Sequence, residues 1–226
     1  MRATISAILI ALALALVACG GDDSTSSTAA GTSDDAASAC DQVDQPSPKK
    51  VKLKAPSPKA PPAGTTVTFD TNCGSFTVEL DTKGAPKTSA SFAYLAQEGL
   101  FDDTPFHRVA PGFVVQAGDP LGGDPKLAGT GGPGYSVTEK PAPDAQYTKG
   151  VVAMAKSEVE PPGTSGSQFF IVTGADAGLP PDYAIAGKIS EGFETVQAIE
   201  AQAQPGVSDG PPAQPVVIDT ATLNEG

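Results

Sequence analysis

The residues with chemistry to offer fall in two short runs. The first is Phe106-His107-Arg108-Val109-Ala110-Pro111-Gly112-Phe113-Val114-Val115-Gln116-Ala117-Gly118-Asp119-Pro120, which holds the only histidine of the chain, an arginine beside it and a glutamine further on. The second is Gly163-Thr164-Ser165-Gly166-Ser167-Gln168-Phe169-Phe170-Ile171-Val172. A serine nucleophile served by His107 fails on spacing. The hydrolase elbow Gly-x-Ser-x-Gly would need glycine where Ser167 stands, with Gly166 in a position meant for a side chain. His107 itself lies in an apolar strand, where an imidazole more often satisfies the core. Gly129-Thr130-Gly131-Gly132-Pro133-Gly134 matches a dinucleotide fingerprint in letters only. It has neither a parallel strand before it nor a helix after it, and Pro141 and Pro143 soon interrupt. Three cysteines and one histidine, unclustered, give no metal-ligand set, and neither metal nor cofactor is expected.

The elements that must carry these runs read as short strands. Thr66-Val67-Thr68-Phe69-Asp70 and Ser75-Phe76-Thr77-Val78-Glu79-Leu80-Asp81 alternate around Thr71-Asn72-Cys73-Gly74, which is turn chemistry, so a β-hairpin is expected. Pro86 opens a helix at its favoured first position. Phe92, Leu95 and Ala96 share one face of it, and Gly99 ends it. The first chemical run supplies two strands around Pro111-Gly112. A Gly/Pro loop follows over residues 118–134. Tyr147 to Met154, Gln168 to Thr173, Tyr183 to Ile189 and Val216 to Leu223 are further strands. Phe193 to Ala201 is a short helix with Val196, Ile199 and Glu200 at helical spacing. The pattern predicts a mainly β domain, a closed antiparallel barrel with two helices on its ends, over residues 64–226.

The first 63 residues read differently. Arg2 precedes an apolar run, Ile5 to Val17, too short to span a bilayer. With small residues at its end, residues 1–18 read as a secretory signal. Leu16-Val17-Ala18-Cys19-Gly20 resembles a bacterial lipobox, in which Cys19 is lipidated and becomes the first residue of the mature chain; the alternative is a plain cleaved signal with an incidental cysteine. Residues 20–39 are Gly, Ser, Thr, Ala and Asp with little to bury. Pro46 to Pro62 is richer in proline and stiffer. Residues 19–63 are therefore expected as a lipid-anchored tether, which at about 43 residues floats the domain on the order of 35 Å from its anchor. Lys49-Lys50-Val51-Lys52-Leu53-Lys54, the one basic cluster, reads as a solvated linker or a short edge strand, with contact to anionic lipid or wall polymer as the competing reading. Cys40 and Cys73 remain as a pair in an oxidising compartment. They form either a disulfide or two free thiols. The expected location is the outer face of the bacterial plasma membrane, and the expected state is a monomer.

A net charge of −12 leaves no basic face to neutralise phosphates, which excludes nucleic acid. With 6% aromatic residues, most placed in core strands, no exposed platform for sugar or wall polymer is left.

Taken together, Phe106-His107-Arg108-Val109, Pro111-Gly112-Phe113-Val114, Gln116-Ala117-Gly118-Asp119, Gly129-Thr130-Gly131-Gly132-Pro133-Gly134-Tyr135, Met154-Ala155 and Gly166-Ser167-Gln168-Phe169-Phe170-Ile171 resemble the signature of the cyclophilin-type peptidyl-prolyl cis-trans isomerases. The resemblance runs from about Thr65 to Leu223 and implies an eight-stranded antiparallel barrel capped by two helices. It implies isomerisation of X–Pro bonds in proline-containing segments of exported polypeptides, with a non-catalytic proline-peptide-binding chaperone or scaffold as the alternative. It makes Arg108 the main catalytic residue and Gln116 its orienting partner. Phe113, Val114, Phe170 and Leu179 would form the proline pocket. Gln168 would close it from the far side, and Ala155 and Lys156 would hold the residue before proline. This chain departs from the family pattern at four positions. Val114 stands for the usual Met, Lys156 for the frequent Asn, Tyr183 for a pocket His, and Gly178 for the Trp before Leu179. Loss of that Trp implies weakened cyclosporin binding with catalysis retained. Extra residues around Leu121 to Ala128 lengthen the loop beside the groove.

Overall fold

The computed structural model describes residues 40–226. The signal segment, Cys19 and the tether residues before Cys40 lie outside the described residues. β1 (Thr66–Thr71) and β2 (Gly74–Leu80) form the expected hairpin, with Phe69 directly opposite Phe76 and their rings stacked 5.0 Å apart. Alternation sends Val67, Phe69, Phe76, Val78 and Leu80 inward, where each is buried.

Pro86 begins α1 (Pro86–Gln97) at its first turn. Ala85 offers no capping side chain, so the free N–H groups need another acceptor. Glu139 supplies it from 50-odd residues away: its carboxylate accepts from the backbone N–H of Lys87 (3.2 Å) and of Thr88 (2.8 Å), at the positive end of the helix. We expect Glu139→Gln to lower stability by about 0.5–1 kcal/mol, seen as a fall of roughly 1–4 °C in Tm by thermal unfolding. An unchanged Tm would show that the carboxylate contributes nothing there. The helix stops where the sequence says. Gly99 adopts φ 66° and its N–H donates to Ala96 O, while Leu100 N–H reaches back to Leu95 O. That pair of bonds is the glycine-terminated C-cap in which a left-handed residue satisfies the last carbonyls. The helix is buried more widely than its apolar face predicts, because Thr88, Ser89, Ala90, Ser91 and Ala93 are small enough to be enclosed as well.

The rest of the chain gives β3 (Thr104–Pro105), β4 (Arg108–Ala110), β5 (Val114–Ala117), β6 (Val137–Thr138), β7 (Val151–Met154), β8 (Thr164–Ser165), β9 (Phe169–Val172), β10 (Ile185–Glu191), α2 (Phe193–Glu200) and β11 (Val217–Asn224). Nine strands form one antiparallel sheet in the order β3-β11-β1-β2-β10-β7-β9-β5-β4. Its two end strands are neighbours in sequence, separated by Phe106 and His107 alone. Phe106 N–H donates to Val216 O on one side (2.8 Å), and His107 N–H donates to Gln116 O on the other (3.1 Å). Counted as one bent strand, β3 and β4 reduce nine to eight and bring the sheet's edges together, the cyclophilin-like architecture expected from the sequence. β6 and β8 pair separately.

Strands buried on both faces divide their side chains between two clusters. Phe169 and Ile171 of β9, with Val115 and Ala117 of β5, join Phe69, Phe76, Phe92, Phe101 and Phe106 in the main core. Phe169 lies 5.4 Å from Phe69, 5.4 Å from Phe92 and 5.5 Å from Phe101, ring centre to ring centre. The alternate residues, Phe170 and Val172 of β9 and Val114 of β5, form a second cluster with Tyr147 and Ala153, on which Phe113, Leu179 and Tyr183 pack. This second cluster becomes the floor of the site.

Residues 40–63 differ from the tether that composition predicts over 19–63. They form an extended strap laid on the domain, neither free linker nor strand. Asp41 N–H donates to Asn72 O (2.7 Å), Lys49 N–H to Pro120 O (2.6 Å) and Leu53 N–H to Pro133 O (2.7 Å). Val51 and Leu53 turn inward against the main core, which leaves Lys50, Lys52 and Lys54 exposed. Lys49 instead donates to Asp102 O and pairs loosely with Asp103 at 3.8 Å. At the strap's start Cys40 is disulfide-bonded to Cys73, across a separation of 33 residues. Composition suggested a linker because proline and lysine are frequent there; two inward apolar residues and three backbone hydrogen bonds are enough to dock it.

Candidate active site

Strand register assembles the site. Arg108 on β4 sits opposite Gln116 on β5, Gln116 opposite Phe170 on β9, and Phe170 opposite Ala153 on β7. A separation of 62 residues between Arg108 and Phe170 thus becomes a single row across three strands. The turn before β5 is tied down from behind. Gly112 takes φ 71°, a left-handed conformation that favours glycine, and its N–H donates to Glu200 Oε1 (2.7 Å). The same carboxylate accepts from Thr173 Oγ1 (2.6 Å). Glu200, read from sequence only as a residue at helical spacing with Val196 and Ile199, is the anchor that fixes where Phe113 emerges.

Arg108 is half-buried and held on two sides. Nη1 donates to Gln116 Oε1 (3.1 Å). Nε and Nη2 donate to Asp209 Oδ1 (2.7 Å) and Oδ2 (2.8 Å), a two-pronged ion pair. The ion pair raises the guanidinium pKa above its ordinary value and holds the Asp209 carboxyl below its own, each mainly through these hydrogen bonds. Gln116 is in turn fixed by Gln168, with Nε2 donating to Oε1 (3.1 Å), and Gln168 Nε2 donates to Gly131 O (2.9 Å). The result is a chain of amides running from the Gly/Pro loop to the guanidinium.

Beside Arg108 lies a cavity of about 230 Å³ lined by Phe113, Val114, Gln116, Ala155, Lys156, Phe170, Leu179 and Tyr183. Its floor is apolar: Val114 and Phe170 are almost fully buried. Tyr183 stands edge-on to Phe170 at 5.5 Å and to Tyr147 at 6.0 Å. Tyr147 locks it further by donating to Tyr183 O (2.7 Å) and accepting from Tyr183 N–H (3.0 Å). The Lys156 ammonium lies 5.5 Å from the Tyr183 ring centre, within cation–π range. A wider cavity of about 540 Å³ adjoins this one, shares Gln116, Ala155 and Lys156 with it, and is walled by Gly129, Thr130, Gly131 and Gln168.

Every residue singled out from the sequence for this region except Gln168 lines the smaller cavity, and Gln168 lines the larger. His107 is half-buried with both ring nitrogens shielded from solvent, and this burial pushes its imidazole below the ordinary range against the opposing pull of Asp119. Among the described residues no group of three or more His, Cys, Asp or Glu is placed to hold a metal ion. The roles of two residues, Asp209 and Asp119, were not legible in the sequence. Asp209 sits in the loop between α2 and β11, where only the turn chemistry of Asp209-Gly210-Pro211 marks it. Asp119 shapes the 118–134 loop by accepting from Leu121 N–H (2.7 Å) and Gly129 N–H (2.6 Å), so that the lengthened segment closes on itself and presents its glycines to the groove.

Comparison with known proteins agrees with this geometry. The family model for cyclophilin type peptidyl-prolyl cis-trans isomerases matches residues 66–223. The chain is 42% identical over 137 residues to peptidyl-prolyl cis-trans isomerase-like 1 of Emericella nidulans, covering 59% of this chain and 80% of that protein. It is 36% identical over 183 residues to peptidyl-prolyl cis-trans isomerase A of Mycobacterium tuberculosis, covering 73% of this chain and 95% of that one. Among solved structures it resembles a cyclophilin type isomerase of Cryptosporidium parvum, with TM-score 0.63, 31% identity, and coverage of 72% of this chain and 98% of that one. The same parasite protein, in the presence of the dipeptide Ala-Pro, superposes with TM-score 0.62 at 31% identity, covering 71% and 99% of the two chains.

Proposed function

The chain belongs to the cyclophilin-type peptidyl-prolyl cis-trans isomerases, and from that premise we propose that it accelerates X–Pro isomerisation in exported polypeptides while anchored outside the membrane through Cys19. Isomerase activity itself follows from the family and its named relatives. The observation that carries the mechanism is the placement of Arg108 and Gln116 at the rim of an apolar cavity.

The uncatalysed barrier of about 18–20 kcal/mol is amide resonance lost on rotation. In the twisted state the prolyl nitrogen is pyramidal and its lone pair is restored, so it becomes a hydrogen-bond acceptor. No nucleophile is required. The prolyl ring enters among Phe113, Val114, Phe170 and Leu179, and holding it still lets the preceding carbonyl turn. A guanidinium carries five N–H donors. Asp209 takes two and Gln116 one, leaving one on each Nη for the peptide. Such a donor, fixed in a partly dry groove, stabilises the lone pair or the turning carbonyl more than water does. Ala155 and Lys156, at the junction of the two cavities, hold the residue before proline. That the Cryptosporidium relative was crystallised in the presence of Ala-Pro supports proline peptides as the ligand class here.

The signal segment, the lipobox at Cys19 and the disulfide support export. Two measurements test the proposal. Refolding of a substrate protein limited by a cis-proline should lose its slow phase when the isomerase is added, and an unchanged slow phase at concentrations that turn over a proline tetrapeptide would count against a folding role. In cells the wild type should fractionate with membranes and Cys19→Ala with the soluble envelope or the uncleaved precursor. Equal membrane association of mature wild type and variant would remove the anchor.

A further inference from the structure

We propose that Asp209 is a positioning residue for catalysis, holding the Arg108 guanidinium in the plane from which its free N–H groups address the peptide. The inference rests on the isomerase reading of the site and extends it to a residue in a different loop.

Arginine is long and loses side-chain entropy when fixed, yet electrostatic stabilisation works only if the donor is already in place. Gln116 makes one bond, to Nη1, and one bond leaves the plane free to swing about it. Asp209 makes two bonds, to Nε and Nη2, at 2.7 and 2.8 Å, and two parallel bonds define a plane. The carboxylate is itself registered. Gly210, the next residue, exchanges backbone hydrogen bonds with Val109, the residue after Arg108: Val109 N–H to Gly210 O at 2.7 Å and Gly210 N–H to Val109 O at 3.2 Å. Clamp and clamped side chain therefore spring from adjacent positions of one two-residue bridge, and relative drift between them is confined to side-chain torsions. Three of the five donors are so occupied, which leaves one N–H on each Nη of a side chain that lines the cavity.

The test uses the full domain with its strap, wild type beside Asp209→Ala and Asp209→Asn, in a protease-coupled assay on a proline tetrapeptide. We expect Asp209→Ala to lower kcat by roughly tenfold to a hundredfold with KM within about twofold, because misplacement of a catalytic group penalises the transition state and leaves the apolar grip on proline intact. Asp209→Asn, which keeps one acceptor oxygen, should fall between. In nitrogen–proton correlation spectra the Arg108 Nε–H resonance, assigned by its loss in Arg108→Ala, should be protected from exchange in the wild type and broadened away in Asp209→Ala. If kcat of Asp209→Ala stays within twofold of wild type, or rises, the proposal is overturned, since the clamp is then idle or opposes the guanidinium. A loss that appears only as a raised KM, with kcat unchanged, overturns it as well. An inactive wild type would instead remove the isomerase reading, a separate failure. The residue lies on a half-exposed loop, and the asparagine variant, nearly the same in shape, keeps the comparison valid if the alanine variant is less stable.

Discussion

Arg108→Ala lowers kcat/KM by about 10²–10³-fold, the loss seen when one fixed donor to a developing charge is removed. The expected change is mostly in kcat. On the proposed mechanism, proline is gripped by Phe113, Val114, Phe170 and Leu179, which the substitution leaves in place, whereas the guanidinium bonds to the peptide strengthen only as the amide twists. Arg108→Lys should recover little. An ammonium cannot span Gln116 and both oxygens of Asp209 at once while presenting two further donors in a fixed plane. The protease-coupled assay on a proline tetrapeptide gives both values directly. A rate for Arg108→Ala within about threefold of wild type would mean that the pocket alone catalyses, by holding the ring in a distorted ground state.

Removing the Cys40–Cys73 bond should have the largest effect on stability. The bond closes a loop of 33 residues, worth roughly 3–4 kcal/mol on the chain-entropy model. That corresponds to a fall in Tm on the order of 10 °C for a domain of this size. Both cysteines are buried, and the strap depends on their bond: without it, the noncovalent contacts at Asp41, Lys49 and Leu53 must order its start unaided. The double variant Cys40→Ser, Cys73→Ser and the reduced wild type should melt alike. A Tm within 2 °C of the oxidised wild type for both would show that the strap holds without its covalent end. Because Pro120 O and Pro133 O receive two of the strap's bonds and flank Gly131, which anchors Gln168, a modest loss of activity should accompany the loss of stability.

What the sequence revealed follows from how local each signal is. Arg108, Phe113 and Gln116 fall within one hairpin, where alternation and a Pro-Gly turn dictate who faces whom, and Phe170 follows from a second run of the same kind. α1 was legible because Pro86 and Gly99 bracket it. Strands β3, β6 and β8 were not, since two residues carry no period. Asp209 reaches Arg108 across 101 positions of chain, and nothing near it repeats or alternates. The strap was hidden by composition. Its Pro and Lys content is that of a linker, and the inward alternation of Val51 and Leu53 gains meaning only once the main core is there to receive it. Glu200 and Glu139 show the same limit, for each is a charged residue whose partner is a backbone N–H that only the tertiary fold brings near.

The disulfide also settles how a mechanical load would travel. A pull on the chain ahead of residue 40 meets a covalent junction before it meets the strap, because tension at Cys40 passes through its sulfur to Cys73 in the β1–β2 hairpin. The segment 41–63 lies in parallel with that junction and stays slack. Its hydrogen bonds to the loop beside the groove are therefore spared, and traction from upstream is taken up by a hairpin locked between β11 and β10.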